Sequence, residues 1–309
     1  MKNRATYDEI DFSIILVNRD ASAYLAGCLK SIAASAGDLT LEVILIDNAS
    51  RDDSIAVARQ LWPKLVLLEQ HSNIGYVPAN NLGLTRARGR YSVFLNNDTE
   101  LEPSCLSELK VFLDRTPDAG AVSGQILNPD GTDQGCARRF PTVANALFGR
   151  RSALTRWFPE NRWSKRYLMS RHHRGSEPFE VEILSSACLV VRTELARALG
   201  GMDEDFRLYW VDAELCSRVR RRGYRVVCVP QARLVHFEGK GGSTRTFRQR
   251  LDTTLCFQRD AYLAYTKVWQ LPVYHPGSLF AALALSLRAL VLLVVQLLRP
   301  ERATSSGVG

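Results

Sequence analysis

A chain of 309 residues with 46% hydrophobic and 23% charged residues is composed like an ordinary globular protein, which argues against a disordered or polytopic membrane protein. It is long enough for one large α/β domain, or for two halves that share a sheet. A net charge of +8 favours an anionic partner, whether a nucleotide, nucleic acid or an acidic membrane surface, and charge alone does not choose among them.

From the N-terminus, "MKNRATYDEI" carries no apolar core of signal-peptide length, so secretion is not expected and the catalytic body is placed in the cytoplasm. Apolar runs and helical patterns then alternate. Phe12 to Val17, Leu41 to Ile46, Leu65 to Leu68 and Tyr91 to Leu95 read as short buried strands, with helices over Ala21 to Ser35, Asp52 to Leu61 and Val77 to Ala87 between them. This β-α-β-α-β-α-β order specifies an α/β fold with a mostly parallel, Rossmann-like sheet flanked by helices. Ligands of such sheets bind beyond the C-terminal strand ends.

The residues just past each strand are therefore informative. The first strand ends on Val17 and Asn18, with Arg19 and Asp20 beyond; the second leads into Asp47, Asn48, Ala49 and Ser50; the fourth into Asn96, Asn97 and Asp98. Any one of these sets is explained by helix capping, with Ser50 or Asp52 opening the next helix. Three of them on one rim favour a site. Asp47 suits a pyrimidine N–H or a ribose hydroxyl, and helix N-termini on the same rim suit phosphate. In "NIGYVPANNLG", Gly75 lets the backbone approach a ligand, with Asn73 and Asn81 as fixing groups, although an ordinary loop and helix start explains the stretch about as well.

Residues 128 to 178 combine turns such as "NPDG" with Phe140, Phe148, Trp157, Phe158, Trp163, Tyr167 and many arginines. They read as an irregular, partly helical insertion that suits a sugar-binding or membrane-proximal face; no nucleic-acid motif supports base stacking, and no nucleic-acid partner is expected. A long strand is expected within Glu180 to Arg192, then a turn at "GGMDEDF", a helix over Asp212 to Arg222 closed by Gly223, and a strand from Arg225 to Val229 leading to "ARLVHFEG", which sets His236 beyond an apolar run.

Asp98 with amide oxygens makes a partial site for Mg2+ or Mn2+ that keeps positions open for phosphate oxygens, and a nitrogen from His236 would tilt it toward Mn2+. The seven cysteines show no C-x-x-C spacing and read as reduced thiols. Absence of G-x-G-x-x-G after the first strand and of a P-loop argues against a dinucleotide oxidoreductase and a P-loop enzyme.

"SIILVN", "VILIDNASRDDS", "HSNIGYVPANNLGL", "RYSVFLNNDTELEP", "GGMDEDFRLYWVDAELCSRVRRRGY" and "ARLVHFEGKGGS" resemble, in order and spacing, the inverting family-two glycosyltransferases, and look most like bacterial rhamnosyltransferase-type members. The resemblance covers roughly residues 11 to 245. It implies a GT-A fold with a nucleotide-sugar-binding half over 1–125 merging into an acceptor-binding and catalytic half over 126–245; beyond it, 246–309 reads as a C-terminal helical, membrane-associated tail. It also implies a dTDP- or UDP-sugar donor, with rhamnose favoured, and a glycan or polyprenyl-linked glycan acceptor. By this resemblance Asp47 contacts the nucleoside, Asn96 and Asp98 match a variant DXD motif, His236 completes the metal and diphosphate site, and Asp212 is the general base. Val211 departs from the family, which often has Glu there, and this leaves Glu214 as the alternate base. A catalytically silent glycan-binding or scaffold protein is the competing expectation.

The tail holds "LFAALALSLRALVLLVVQLL", Leu279 to Leu298, nearly long enough to span a bilayer but carrying Arg288 and Gln296. Arg288 and Arg299 fall on nearly one helical face, a pattern that suits a helix lying peripherally on the inner face of the plasma membrane, with a helix packed on the domain as the alternative.

Overall fold

The computed structural model describes residues 10–142, 157–158, 162–169, 175–238 and 246–298. Phe148, the side chain of Trp163, Arg299 and the end of "HFEGKGGS" lie outside them. The first half has the expected order: β1 (Phe12–Asn18), α1 (Ser22–Ala36), β2 (Leu41–Asp47), α2 (Ser54–Leu61), β3 (Val66–Glu69), α3 (Tyr76–Arg86) and β4 (Tyr91–Asn96). Then come β5 (Thr99–Leu101), α4 (Cys105–Arg115), β6 (Ala119–Leu127), α5 (Arg162–Tyr167), β7 (Phe179–Glu180), β8 (Cys188–Arg192), α6 (Thr193–Ala198), α7 (Val211–Arg221), β9 (Arg225–His236), α8 (Phe247–Val268) and α9 (Pro276–Leu298).

Nine strands form one sheet in the order β3-β2-β1-β4-β8-β6-β9-β5, with β7 also on β9. β1 pairs in parallel with β2 and β4, and β2 with β3, while β8 runs antiparallel between β4 and β6. Ile14, Ile15, Leu16, Ile44, Leu45, Val93 and Phe94 are buried, as expected of parallel strands covered on both faces. Each contributes about 1.5 to 3 kcal/mol by leaving water. At the start of these strands Glu42 is buried too, accepting from Ser13 Oγ (2.5 Å) and from Arg88 Nε (3.0 Å). All seven cysteines are free thiols and buried.

Two expectations for the second half change. The strand expected within Glu180 to Arg192 is broken into β7 and β8, because residues 182–186 leave the ladder: Ile183 bridges to Arg138, and the amide of Ser186 turns to Asp212. Conversely, β9 runs unbroken to His236, past Pro230, because its pairing with β6 slips between Gly124 and Gln125 and absorbs the irregularity. There the backbones come so close that a Cβ on Gly124 would collide with the Ala232 carbonyl.

Candidate functional site

Parallel register delivers the polar strand ends to one edge. Asn18 lies opposite Asp47, and Val17 opposite Asn96. Asn97 Nδ2 donates to Asn18 Oδ1 (2.6 Å), and Asn18 Nδ2 donates to Ser50 Oγ (3.1 Å) and to Asp47 Oδ1 (3.4 Å). Asp47 is buried and serves its own turn, accepting from Ser50 Oγ (2.5 Å) and from the Ser50 amide (2.9 Å). Asn48 ties this turn to the next loop, donating to the Gly75 carbonyl (3.1 Å) and accepting from the Ile74 amide (3.2 Å). Gly75 has φ 93°, a region open to glycine at no steric cost, and Asn73 Oδ1 accepts its N–H (2.9 Å).

A cleft of about 810 Å3 opens beside this edge. Val17, Asn18, Asn73, Gly75 and Asn97 line one side; Arg207, Leu208 and Tyr209, with Asp252 and Cys256 of α8, line the other. Three non-glycine residues with left-handed φ, Asp20 (49°), Ala49 (62°) and Trp210 (63°), stand at the ends of β1 and β2 and at the start of α7. Such conformations cost about 1 kcal/mol or more and gather at sites that need them. Asn81 is elsewhere: it pins the Met202 backbone, donating to its carbonyl (2.8 Å) and accepting from its amide (2.7 Å).

Asp98 and His236 are not among the cleft-lining residues, yet they meet. β5 pairs antiparallel with β9 so that Thr99 lies opposite His236, which brings His236 Nε2 to 3.2 Å from Asp98 Oδ1. Both are buried. His236 Nδ1 is 2.7 Å from Gln134 Oε1. The Gln134 amide is oriented by its own contacts, since its Nε2 donates to Asn128 Oδ1 (3.0 Å) and to the His236 carbonyl (3.1 Å). An oxygen facing Nδ1 places a ring proton there, and Nε2 is the nitrogen that faces Asp98 and the Asn96 amide nitrogen (3.3 Å).

A carboxylate oxygen and an imidazole nitrogen 3.2 Å apart are joined by a proton on Nε2, and when that proton is absent both can ligate one cation. Among the described residues no group of three or more His, Cys, Asp or Glu gathers to hold a metal alone. The pair therefore fits a divalent ion that takes its remaining ligands from a diphosphate, as Mg2+ and Mn2+ do.

Asp212 sits in the first turn of α7, where Oδ2 accepts from the Ser186 amide (3.3 Å) and Oδ1 from the Ala213 amide (2.8 Å). Tyr76 links it to the strand end that carries Asn96, beside the Asp98–His236 pair. Its hydroxyl donates to Asn96 Oδ1 (3.3 Å) and to the Ser186 carbonyl (3.5 Å). Burial, helped by the charges of Asp212 and Asp98, pushes the Tyr76 phenol up to about 12. The buried Arg138 guanidinium also feels Asp212: burial works against its charge, but Tyr167 and Asp212 hold its pKa above the ordinary value. Val211 is fully buried. Glu214 faces away into an ion pair with Arg218, whose Nε is 2.7 Å and 2.8 Å from its two oxygens and whose other nitrogens donate to the carbonyls of Leu199 and Gly201.

Gln134, Tyr76 and Ser186 carry this arrangement, and reading the sequence alone does not find them. Tyr76 lies inside "NIGYVPANNLG", but nothing in the spacing of Gln134 or Ser186 marks them.

Residues 13–196 match the family model described as Glycosyl transferase family 2. The chain is 33% identical over 234 residues to the O-antigen biosynthesis protein RfbC of Myxococcus xanthus, covering 73% of this chain and 17% of that protein. Against the N-acetylglucosaminyl-diphospho-decaprenol L-rhamnosyltransferase of Mycobacterium tuberculosis the identity is 28%, over 72% of this chain and 75% of that one. A solved mannosyltransferase from Pyrobaculum calidifontis, in complex with GDP-Man and Mn2+, shares the fold with TM-score 0.56 at 19% identity, over 93% of this chain and 72% of that chain.

Proposed function

The chain belongs to glycosyl transferase family 2, and we propose that it moves a sugar, rhamnose by preference, from a dTDP- or UDP-sugar to a hydroxyl of a glycan or polyprenyl-linked glycan during cell-surface polysaccharide synthesis. One observation carries the reading: Asp98 and His236 pair at 3.2 Å, and Tyr76 bridges from Asn96 beside that pair to Ser186, whose amide meets Asp212. The naming of a decaprenol-linked rhamnosyltransferase and an O-antigen protein among its relatives supports the donor and acceptor classes.

The strand ends of residues 1–125 would hold the donor. Val17, Asn18, Asn73, Gly75 and Asn97 offer it backbone and amide groups in the cleft, while Asp47 and Ser50 keep Asn18 in place. Asp98 and His236, with Asn96 beside them, would bind Mg2+ or Mn2+, which when present offsets the charge on the departing diphosphate. In the half over 126–245, Asp212 would take the proton of the acceptor hydroxyl. The acceptor oxygen then bonds to the anomeric carbon as the bond from that carbon to the diphosphate oxygen breaks on the opposite face. A single displacement inverts the centre and requires no enzyme nucleophile.

The two helices over 246–298, α8 and α9, support placement on a membrane surface, taken as the cytoplasmic face. Residues Pro276–Leu297 are long and apolar enough to cross a bilayer, with mean hydropathy 2.4. Ala281, Leu285 and Ala289 of α9 are buried, and Gln296 Nε2 donates to Thr254 Oγ1 of α8 (2.9 Å). The Arg288 guanidinium lies 5.6 Å over the Phe257 ring of α8, so the charge that argues against spanning is turned inward. Leu279, Leu283, Leu287 and Leu290 are left exposed along the outer face. A helix with one face packed on its own protein and the other apolar lies on a bilayer in preference to crossing it.

Release of nucleoside diphosphate from a panel of dTDP-, UDP- and GDP-sugars, with Mn2+ or Mg2+ and a membrane extract as acceptor, tests the activity. Silence from folded protein across the panel would return the scaffold reading.

A further inference from the structure

One carboxylate on α8 organises the backbone that leads into α7. Asp260 is fully buried, and its Oδ2 accepts the N–H groups of three successive residues: Arg207 (3.3 Å), Leu208 (3.1 Å) and Tyr209 (3.0 Å). Cys256 Sγ adds a weak donor to the same oxygen (3.5 Å), and Arg259 Nη1 lies 3.0 Å from Oδ1. Convergent amides of this kind are how proteins hold an anion, and here the anion belongs to the chain itself. Removing those donors would leave a charge desolvated, so 207–209 and α8 are obliged to stay together.

The base lies a short way downstream. Trp210 turns the chain with φ 63°, its carbonyl accepts the Glu214 amide (3.2 Å) as α7 begins, and Asp212 is in the first turn. Three residues of extended chain span at most about 11 Å, so an anchor at Tyr209 restricts where Asp212 sits. The rings of Tyr209 and Trp210 both meet Phe257 of α8 edge-on, at 5.2 Å and 5.8 Å. Leu208 and Tyr209 also form part of the cleft wall.

We propose that Asp260 is a positioning residue for sugar transfer: by gathering three amides ahead of α7 it sets both the location of Asp212 and one wall of the donor cleft. The inference rests on Asp212 being the general base. It makes the C-terminal helical region part of the catalytic apparatus rather than a membrane appendage alone.

The test compares Asp260→Asn with Glu42→Gln, a buried carboxylate change at the opposite end of β1 and β2, in the full chain. Hydrogen exchange by mass spectrometry is read over 207–214, alongside kcat, donor KM and melting temperature. Asp260→Asn is expected to speed exchange at 207–211 by about 10-fold or more and to lower kcat by about 10- to 100-fold, the scale of a misplaced catalytic group, with a smaller change in donor KM. Glu42→Gln is expected to keep kcat at equal folded fraction. Should Asp260→Asn unfold, Asp260→Ser, which retains an acceptor oxygen, is read in the same way. The proposal is overturned if kcat is unchanged, if its loss merely matches that of Glu42→Gln, or if faster exchange spreads through β1 to β4. Failure of the base reading shows elsewhere: Asp212→Asn would turn over normally while Asp260→Asn still loosened 207–211.

Discussion

Gln134 Oε1 lies 2.7 Å from His236 Nδ1, and that contact decides which nitrogen of the ring faces Asp98. A supporting residue of this kind fixes the ligand's tautomer and direction at once. Gln134→Leu is therefore expected to weaken Mn2+-dependent nucleoside diphosphate binding by about 10- to 100-fold. Gln134→Glu, whose carboxylate can still accept from Nδ1, should recover most of it. Calorimetry with and without Mn2+ separates the two, and equal affinity in the leucine variant would remove Gln134 from the metal site.

Loss of Asp98 itself should be more severe. Asp98→Ala deletes one of the two side chains proposed as ligands and leaves His236 Nε2 with the Asn96 amide. Metal-dependent nucleotide binding should disappear, while metal-independent binding through the β1 and β2 ends persists at its weaker level. Undiminished metal dependence would place the ion elsewhere.

Asp212→Asn keeps a group that can accept from the Ser186 and Ala213 amides, so the start of α7 should survive. Donor affinity is expected to hold and transfer to fall by about 100-fold or more, the usual consequence of losing a general base. Near-normal turnover would move that role away from Asp212.

Glu214→Gln separates the two acids of α7. Its carboxylate neutralises a guanidinium that also caps two carbonyls, so neutralisation should lower stability by about 3 kcal/mol, seen as a drop in melting temperature. The transfer rate per folded molecule should stay near wild type. A rate collapse without destabilisation would instead make Glu214 the base.

On α9, Leu283→Glu with Leu287→Glu puts two charges on the exposed face while sparing Leu285 and Ala289 on the α8 side. The doubly substituted protein should leave the membrane fraction, and vesicles of anionic lipid should no longer sediment it. Unaltered sedimentation would mean that this face does not meet lipid.

Much of this was legible in the residues alone. Buried runs of Ile, Val and Leu ending on Asn and Asp declare parallel strands and a polar rim, because both the period and the desolvation cost are local properties. The fracture between β7 and β8 was not legible, since the stretch read as one strand and Ile183 and Ser186 are drawn off the ladder by partners far along the chain. Arg288 was legible as a residue but not as a direction: whether it meets lipid depends on Phe257, which belongs to another helix.

The contact between Gly124 and Ala232 bears on His236 through the strand they share. Ala232 lies four residues before the imidazole, on a ladder where a slip of one place turns every side chain to the other face. A single methyl group at 124 would thus be felt first as a ligand pointing the wrong way. The close approach of two backbones at Gly124 acts as a gauge for a nitrogen several residues downstream.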